Sequence, residues 1–342
     1  MRLVTFVPMD KQPRAGILLG PAVIDLAAAA PLVLEDVAGL TWDMVSLLRG
    51  TQTDVSLEDI ALIQDAVISL VGNDLDLDAE MTGNGSRNRG MTGSISIGGA
   101  EMLLPLEHVR LHAPLPHPHS LRMFDTFPQH AQMIRQLQGR TLPPAWYHHP
   151  AFVFGNHSSV YGPFEDIPIP GTEALDYALE IACVIGREGR DIAVDEAAEY
   201  IAGYMIMNAW SARDIQAGED ISGLGAAKAR DFATSLGPWL VTPDELELYA
   251  DDDGRLTVNM LARVNGIEQS RGNAAGMHFP FGQMIAHASR DVTLYPGDVL
   301  SSGTVGGGCL AEITHGQGPW LAPGDIVELE ITELGILHNR IV

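Results

Sequence analysis

Between positions 176 and 230 the chain gathers side chains that carry ionic chemistry. Asp176 and Glu180 stand in the run Asp-Tyr-Ala-Leu-Glu, Arg213, Asp214 and Gln216 in Arg-Asp-Ile-Gln, and Lys228 and Arg230 in Lys-Ala-Arg. The first run reads as extended backbone. Residues two apart on a strand face one side, so Asp176, Ala178 and Glu180 share a face. Two carboxylates at that spacing present oxygens to one ion, and Mg²⁺ or Ca²⁺ requires several such oxygens. Here an alanine, Ala178, sits in the middle of the row. The arginines offer a different chemistry. A planar guanidinium grips a carboxylate or enolate through two parallel hydrogen bonds, and fixed donors of this kind stabilise a developing anion without a metal. Arg230 has two open readings: an anion clamp, or an ion pair with Glu180 or Asp231 that fills space.

Other polar clusters read more plainly. His112, His117 and His119 alternate with prolines and match no metal-ligand spacing, which points to a loop or interface. His148 and His149 have two open readings, contact with a substrate or a surface position, of which the surface position is expected. Gly306-Gly-Gly308 is followed by no Gly-Lys-Ser/Thr, so a tight turn is expected there rather than a phosphate loop. Asp251-Asp-Asp253 before Gly254 reads as a solvated hairpin turn. Cys183 and Cys309 are too few and too far apart for a disulfide framework and are expected to be buried free thiols.

The elements that must hold these residues follow from periodicity. Residues 2–26 alternate apolar and polar positions around Gly16 and Gly20 and predict an antiparallel meander. Residues 57–70 predict a helix with Leu57, Ile60, Ile63, Val67 and Leu70 on one stripe, capped by Ser56 and closed by Gly72. From 72 to 99 the chain is rich in Asn, Asp, Gly and Ser and predicts a linker or a mobile loop. A larger unit begins near Leu104, dividing the chain into 1–103 and 104–342. In it, strands are expected at 178–185 and 257–264, the second closed by Asn265-Gly266. Further strands follow the Pro-Gly-Asp turns at 296–298 and 323–325. Met205 and Met207 alternate on another strand and read as core. Helices are expected at 126–138, 194–202 and 280–288. The pattern is α+β.

Composition narrows the function. With 44 acidic against 20 basic residues, the net charge of −24 repels phosphate backbones and anionic lipid surfaces. Neither a nucleic acid nor a membrane is therefore an expected partner. No basic amino-terminal region precedes an apolar core, and no apolar run reaches spanning length, so a cytoplasmic protein is expected.

Residues 204–216, Tyr-Met-Ile-Met-Asn-Ala-Trp-Ser-Ala-Arg-Asp-Ile-Gln, resemble the most recognisable signature of the fumarylacetoacetate hydrolase family. The blocks 122–130, 146–163, 175–187, 223–242 and 296–312 resemble it in the same order. The resemblance runs from about residue 105 to the carboxyl terminus, with weaker similarity at 1–26. It implies an α+β mixed β-roll, sandwich-like, with a small β-rich amino-terminal domain, and dimerisation through the large domain. It also implies cleavage of carbon–carbon bonds in diketo acids with a divalent metal held by four carboxylates. The four ligand positions are here Met123, Ala178, Glu180 and Ala209, so only Glu180 is retained. No cofactor is expected, and Mg²⁺ or Ca²⁺ only if Asp125, Asp176 or Asp214 rebuilds the site.

By the same resemblance His130 activates water and Glu312 orients it; an imidazole titrating near neutrality takes a proton while a carboxylate fixes its tautomer. Arg213 and Gln216 correspond to oxyanion-stabilising residues, Thr304 to a residue near the substrate, and Arg230 to a family Lys. Lys228 matches a Lys of less direct role. Val153 stands where some relatives direct a Tyr at the substrate, and Asp220 where others have an aromatic ring. The expectation is a metal-independent enzyme acting on a small anionic β-diketo or enol acid. Its reaction is carbon–carbon hydrolysis or a related tautomerisation, decarboxylation or cyclisation. The rival is a non-catalytic relative that binds a ligand or partner.

Overall fold

Continuous apolar runs set the centre of the fold. Leu179–Ile185, Ile201–Asn208 and Thr234–Val241 are buried along almost their whole length, which requires cover on both faces. The computed structural model describes residues 1–8, 12–49, 55–71, 95–97, 100–223, 225–251 and 253–342. In it these three strands pair antiparallel at the middle of a thirteen-stranded sheet. Asp298–Ser301 adds to one side, antiparallel to Leu179–Ile185 and parallel to Ser120–Phe124. Phe152–Phe154 forms the edge there. On the other side Arg2–Pro8 pairs with Thr234–Val241 and continues through Arg14–Leu19, Ala22–Asp25 and Ala100–Pro105. The meander expected at 2–26 is thus present, and it extends the same sheet.

A second, five-stranded sheet holds Asn259–Val264, Ile267–Asn273, Ile326–Ile331 and Gly335–Ile341. Its hairpin turns at Asn265-Gly266, both with positive φ, as a type I′ turn demands. Alternation sorts the central strands between two cores. Leu179, Ile181, Cys183 and Ile185 join Leu329 and Leu337 of the second sheet in one cluster. Ala178, Ala182 and Val184 join Met205, Met207 and the helical Ile60, Ile63 and Val67 in the other. The architecture is α+β with mixed sheets.

The helix Leu57–Val71 begins with a reciprocal cap. Ser56 Oγ accepts from the Asp59 N–H at 3.1 Å, and the Asp59 carboxylate accepts from the Ser56 N–H at 2.8 Å. Its buried stripe is Ile60, Ile63, Val67 and Val71. Leu70, expected on that stripe, is 55% exposed, because position 71, four after Val67, continues the helical face. Helices at Pro128–Leu137 and Phe281–Ser289 stand where expected. The stretch 194–202 does not form an α-helix; a 3₁₀ turn at Ala197–Tyr200 passes straight into a strand. Pairing of Ile201 with Ile185 captures that end of the segment and leaves too few residues for a helix. Most of the linker expected at 72–99, including Gly72, lies outside the described residues, as does Asp252. The flanking Asp251 accepts from the Asp253 and Arg255 N–H groups in an exposed turn. No helix among the described residues is long and apolar enough to cross a membrane.

Candidate active site

Leu179–Ile185 carries Glu180 on the face shared with the second core, and Ser120–Phe124 brings Met123 to the same region. Met123, Ala178 and Ala209 are all buried members of one apolar cluster. Among them Glu180 is 3% exposed. Its carboxylate accepts from Ser301 Oγ at 2.6 Å and Thr304 Oγ1 at 3.2 Å. Burial pushes this carboxyl above its usual range, against the opposing effects of Ser301, Arg230, His130 and Thr304. Gly303 makes the turn that aims Thr304. Its φ is +79°, and a Cβ there would meet the Phe124 carbonyl oxygen at 2.4 Å. One carboxylate beside a thioether and two methyl groups is a poor donor set for a hard cation. The residues present do not fit the four-carboxylate metal.

The three substitute carboxylates are differently disposed. Asp176 is fully buried and accepts from the Leu310 N–H at 2.7 Å, the Ala311 N–H at 3.1 Å and Arg213 Nε at 2.8 Å. Asp214 is exposed and accepts from Thr172 and from the Glu173 N–H. Asp125 accepts from Trp146 Nε1 at 3.0 Å through Oδ2, while its buried Oδ1 has no partner.

His130 occupies the first turn of Pro128–Leu137, and Glu312 sits in the one-turn helix Leu310–Ile313. Asp176 satisfies two amino-terminal N–H groups of that short helix, which fixes where Glu312 points. His130 Nδ1 lies 2.7 Å from Glu312 Oε2. Glu312 Oε1 accepts from the Gly307 N–H at 3.0 Å, and the Cys309 thiol donates to Oε2 at 3.4 Å. Burial pushes the Glu312 carboxyl up, but His130, Gly307 and Cys309 outweigh it and hold it below the usual glutamate range. The carboxylate therefore takes the Nδ1 proton as its donor and leaves Nε2 as the basic nitrogen. Gly306-Gly-Gly308 is a tight turn that brings backbone to this pair: Gly307 has φ +73°, and a Cβ on Gly306 would meet the Gln129 side chain.

Arg213 Nε is spent on Asp176 and Nη1 on Gln216 Oε1 at 2.9 Å, while Nη2 is buried without a partner. Burial pulls its pKa down, and the Asp176 charge more than restores it. Arg230 is half-buried with an unpartnered Nε. Burial and the Arg213 charge lower its pKa, against Glu180 and Asp125; a guanidinium remains a cation regardless. The Asp231 carboxylate is taken instead by Lys228 Nζ at 2.7 Å and Asn156 Nδ2 at 3.0 Å.

Arg230, Asp231, Met123, Val153, Phe154 and His119 line a cavity of about 520 Å³. Val153 is 48% exposed on its wall. Lys228 is exposed, and His130, Glu312, Arg213, Gln216 and Thr304 are not part of that wall. Arg230 links the two groups, because the charges of Glu180 and Arg213 act on it. Two features escaped sequence reasoning. Cys309 touches the His130–Glu312 pair, and its spacing three residues before Glu312 is the signal that was there to use. His119, on the cavity wall, is held through Nδ1 by the buried Asp298 at 3.0 Å. Asp298 also pairs with Arg122 at 3.2 Å, and only the fold brings those residues together. His117, His148 and His149 are exposed, and Cys183 and Cys309 are buried free thiols.

Residues 122–342 match the family model described as fumarylacetoacetate (FAA) hydrolase C-terminal. The chain is 35% identical over 187 residues to the 2,4-didehydro-3-deoxy-L-rhamnonate hydrolase of Sphingomonas sp. (strain SKA58), covering 54% of this chain and 62% of that protein. It is 34% identical over 186 residues to the Homo sapiens mitochondrial oxaloacetate tautomerase FAHD2A, covering 54% and 56%. Each match spans less than two thirds of the relative. Among solved structures, the maleylpyruvate hydrolase of Sphingobium sp. SYK-6 in complex with manganese(II) and pyruvate is similar, with a TM-score of 0.65. That match has 21% identity and covers 100% of this chain and 99% of that one. The likeness is one of fold.

Proposed function

We propose, because this chain belongs to the fumarylacetoacetate hydrolase family, that it is a metal-independent enzyme acting on a small anionic β-diketo or enol acid. The observation that carries the reading is the buried His130–Glu312 pair at 2.7 Å. The Glu312 charge acts on Arg213, the Arg213 charge acts on Arg230, and each guanidinium keeps a buried, unpartnered N–H. In this reading Nε2 of His130 takes a proton from water or from the carbon between two carbonyl groups. Glu312 holds Nδ1–H and stabilises the imidazolium that results. Arg213 and Arg230 hold the enolate or oxyanion, and Gln216 fixes the Arg213 plane. Thr304 and Val153 border the substrate, and Lys228 adds positive charge at the mouth. In hydrolysis, the proton taken from water passes from Nε2 to the carbon released when the carbon–carbon bond of the water adduct breaks. In tautomerisation, the proton taken from carbon passes from Nε2 to the enolate oxygen, or the reverse.

Relatives named as a hydrolase and a tautomerase support both outcomes. The maleylpyruvate hydrolase complex contains manganese and pyruvate, whereas Met123, Ala178 and Ala209 here supply no oxygen for such an ion. A homodimer, a cytoplasmic setting and a division near 103/104 belong to the same proposal. Loss of three carboxylates favours the non-catalytic alternative; a buried imidazole–carboxylate pair beside Arg213 favours the enzyme. The test is turnover of acylpyruvates and oxaloacetate by wild type and His130→Ala, with elemental analysis of the purified protein. The expected result is turnover insensitive to removal of Mg²⁺, Mn²⁺ or Ca²⁺ and lost in His130→Ala. Stoichiometric Mg²⁺, Mn²⁺ or Ca²⁺ would refute metal independence, and turnover that survives His130→Ala would refute the proton-transfer role.

A further inference from the structure

Three donor atoms of different chemistry meet at the start of the one-turn helix Leu310–Ile313. A ring nitrogen of His130, the Cys309 sulfur and a Glu312 oxygen lie within 4.8 Å of one another, and all three residues are buried. None of them stands at a position where the family holds its metal. We propose that His130, Cys309 and Glu312 form a site for a soft divalent cation, Zn²⁺, and that its occupation switches the His130–Glu312 pair off.

The geometry is close to what zinc requires. With Zn–S near 2.3 Å and Zn–N and Zn–O near 2.0–2.1 Å, tetrahedral edges are roughly 3.5 Å for S···O and 3.3 Å for N···O. The Cys309 Sγ···Glu312 Oε2 separation is already 3.4 Å. His130 Nδ1···Oε2 is 2.7 Å, so the imidazole must withdraw by about 0.6 Å. A thiolate, an imidazole and one carboxylate select zinc over magnesium or calcium. Two anionic ligands neutralise a 2+ ion, and the nearby Arg213 is already balanced by Asp176. On binding, the thiol proton leaves to solvent and the ring proton moves from Nδ1 to Nε2, so that His130 coordinates as a neutral imidazole. Without a cation the thiol stays protonated, since burial and then the Asp176 charge push it well above its usual range. Once Nδ1 coordinates zinc it no longer donates to Glu312, and the imidazole cannot become an imidazolium. This second half rests on the proton-transfer role proposed above; the binding half does not.

Titration of metal-free, full-length protein with Co²⁺ reads the site directly. Wild type and Cys183→Ser are expected to develop a thiolate-to-cobalt charge-transfer absorption that one equivalent of Zn²⁺ abolishes. Cys309→Ser, folded by circular dichroism, is expected to show none, and His130→Gln and Glu312→Gln are expected to bind at least tenfold more weakly. No charge-transfer absorption in wild type, or its persistence in Cys309→Ser, overturns the site. If Cys309→Ser does not fold, unchanged cobalt affinity in both His130→Gln and Glu312→Gln overturns it instead. Zinc that binds through Cys309 yet leaves turnover of an active preparation unchanged overturns the switch alone.

Discussion

Replacing Glu312 with Gln separates the orienting role of this carboxylate from its shape. The Gln carbonyl oxygen can keep the Gly307 N–H, which now donates to Oε1 at 3.0 Å. The amide nitrogen then falls where Oε2 lies, 2.7 Å from His130 Nδ1. An NH₂ donor facing Nδ1 requires Nδ1 to be the acceptor, so the ring proton moves to Nε2 and the base is lost. An amide exchanged for an orienting carboxylate in a protease triad costs about 10⁴ in kcat through the same tautomer change, and a loss of roughly 10³–10⁴ is expected here. The buried charged hydrogen bond is worth about 1.5–3 kcal/mol. Because the folded Glu312 carboxyl is held below its ordinary 4.5, this stability is fully present above that value. It is lost as pH falls through the depressed folded value. Unfolding free energies of wild type and Glu312→Gln, measured from pH 3 to pH 8, should therefore converge only at the acid end. Nitrogen-15 NMR of His130 should show the proton on Nδ1 in wild type and on Nε2 in the variant. An unchanged tautomer, or a stability difference indifferent to acid, would refute the reasoning.

Arg230→Ala removes a half-buried cation with an unpartnered Nε; calorimetry with oxaloacetate should show affinity falling about 10- to 100-fold, with the thermal midpoint unchanged or higher. Burial holds the Glu180 carboxyl above its usual range, so its ionised form costs stability at every pH above that raised value and nothing below the unfolded one. Glu180→Gln should thus melt higher than wild type at pH 7–9, with the gain vanishing toward pH 4; a gain that grows in acid would contradict this sign. Asp176→Asn strips Arg213 of its buried partner and loosens two N–H groups of Leu310–Ile313. Denaturant unfolding should show a loss of about 3–5 kcal/mol.

What could be read in the chain divides along the range of the interactions. Strand and helix positions followed from local alternation and caps, as at Ser56 and Asp59 or Asn265-Gly266, because those contacts span a few residues. The failure at 194–202 came from Ile201, whose strand state is decided by Ile185 across the sheet rather than by its neighbours. The site shows the same division. Glu180 could be named as the surviving carboxylate. That Asp176 serves as the amino-terminal cap of Leu310–Ile313 could not, since its partners lie 134 and 135 residues away. The cavity wall of His119, Val153 and Arg230 likewise joins segments that meet only in the folded sheet.

In the metal-independent reading proposed above, the replaced positions change the sign of the site's field. Four carboxylates around one divalent ion sum to two negative charges. Met123, Ala178 and Ala209 remove three of those carboxylates together with the ion's other contacts, leaving at most the one charge of Glu180. Burial opposes even that charge, while Arg213 and Arg230 keep two positive ones. Unpaired N–H groups in a buried setting are costly unless something accepts from them. Arg213 Nη2 and Arg230 Nε are two such groups, and the Arg213 charge acts on Arg230. Arg230 lines the cavity, so an anion bound there meets its charge directly and that of Arg213 only at longer range, and a neutral analogue of the same shape meets neither. The cavity should therefore discriminate by charge before shape: among ligands of equal size, affinity should fall stepwise from dicarboxylate to monocarboxylate to amide, and a flat series would mean that the Arg230 guanidinium serves packing rather than recognition.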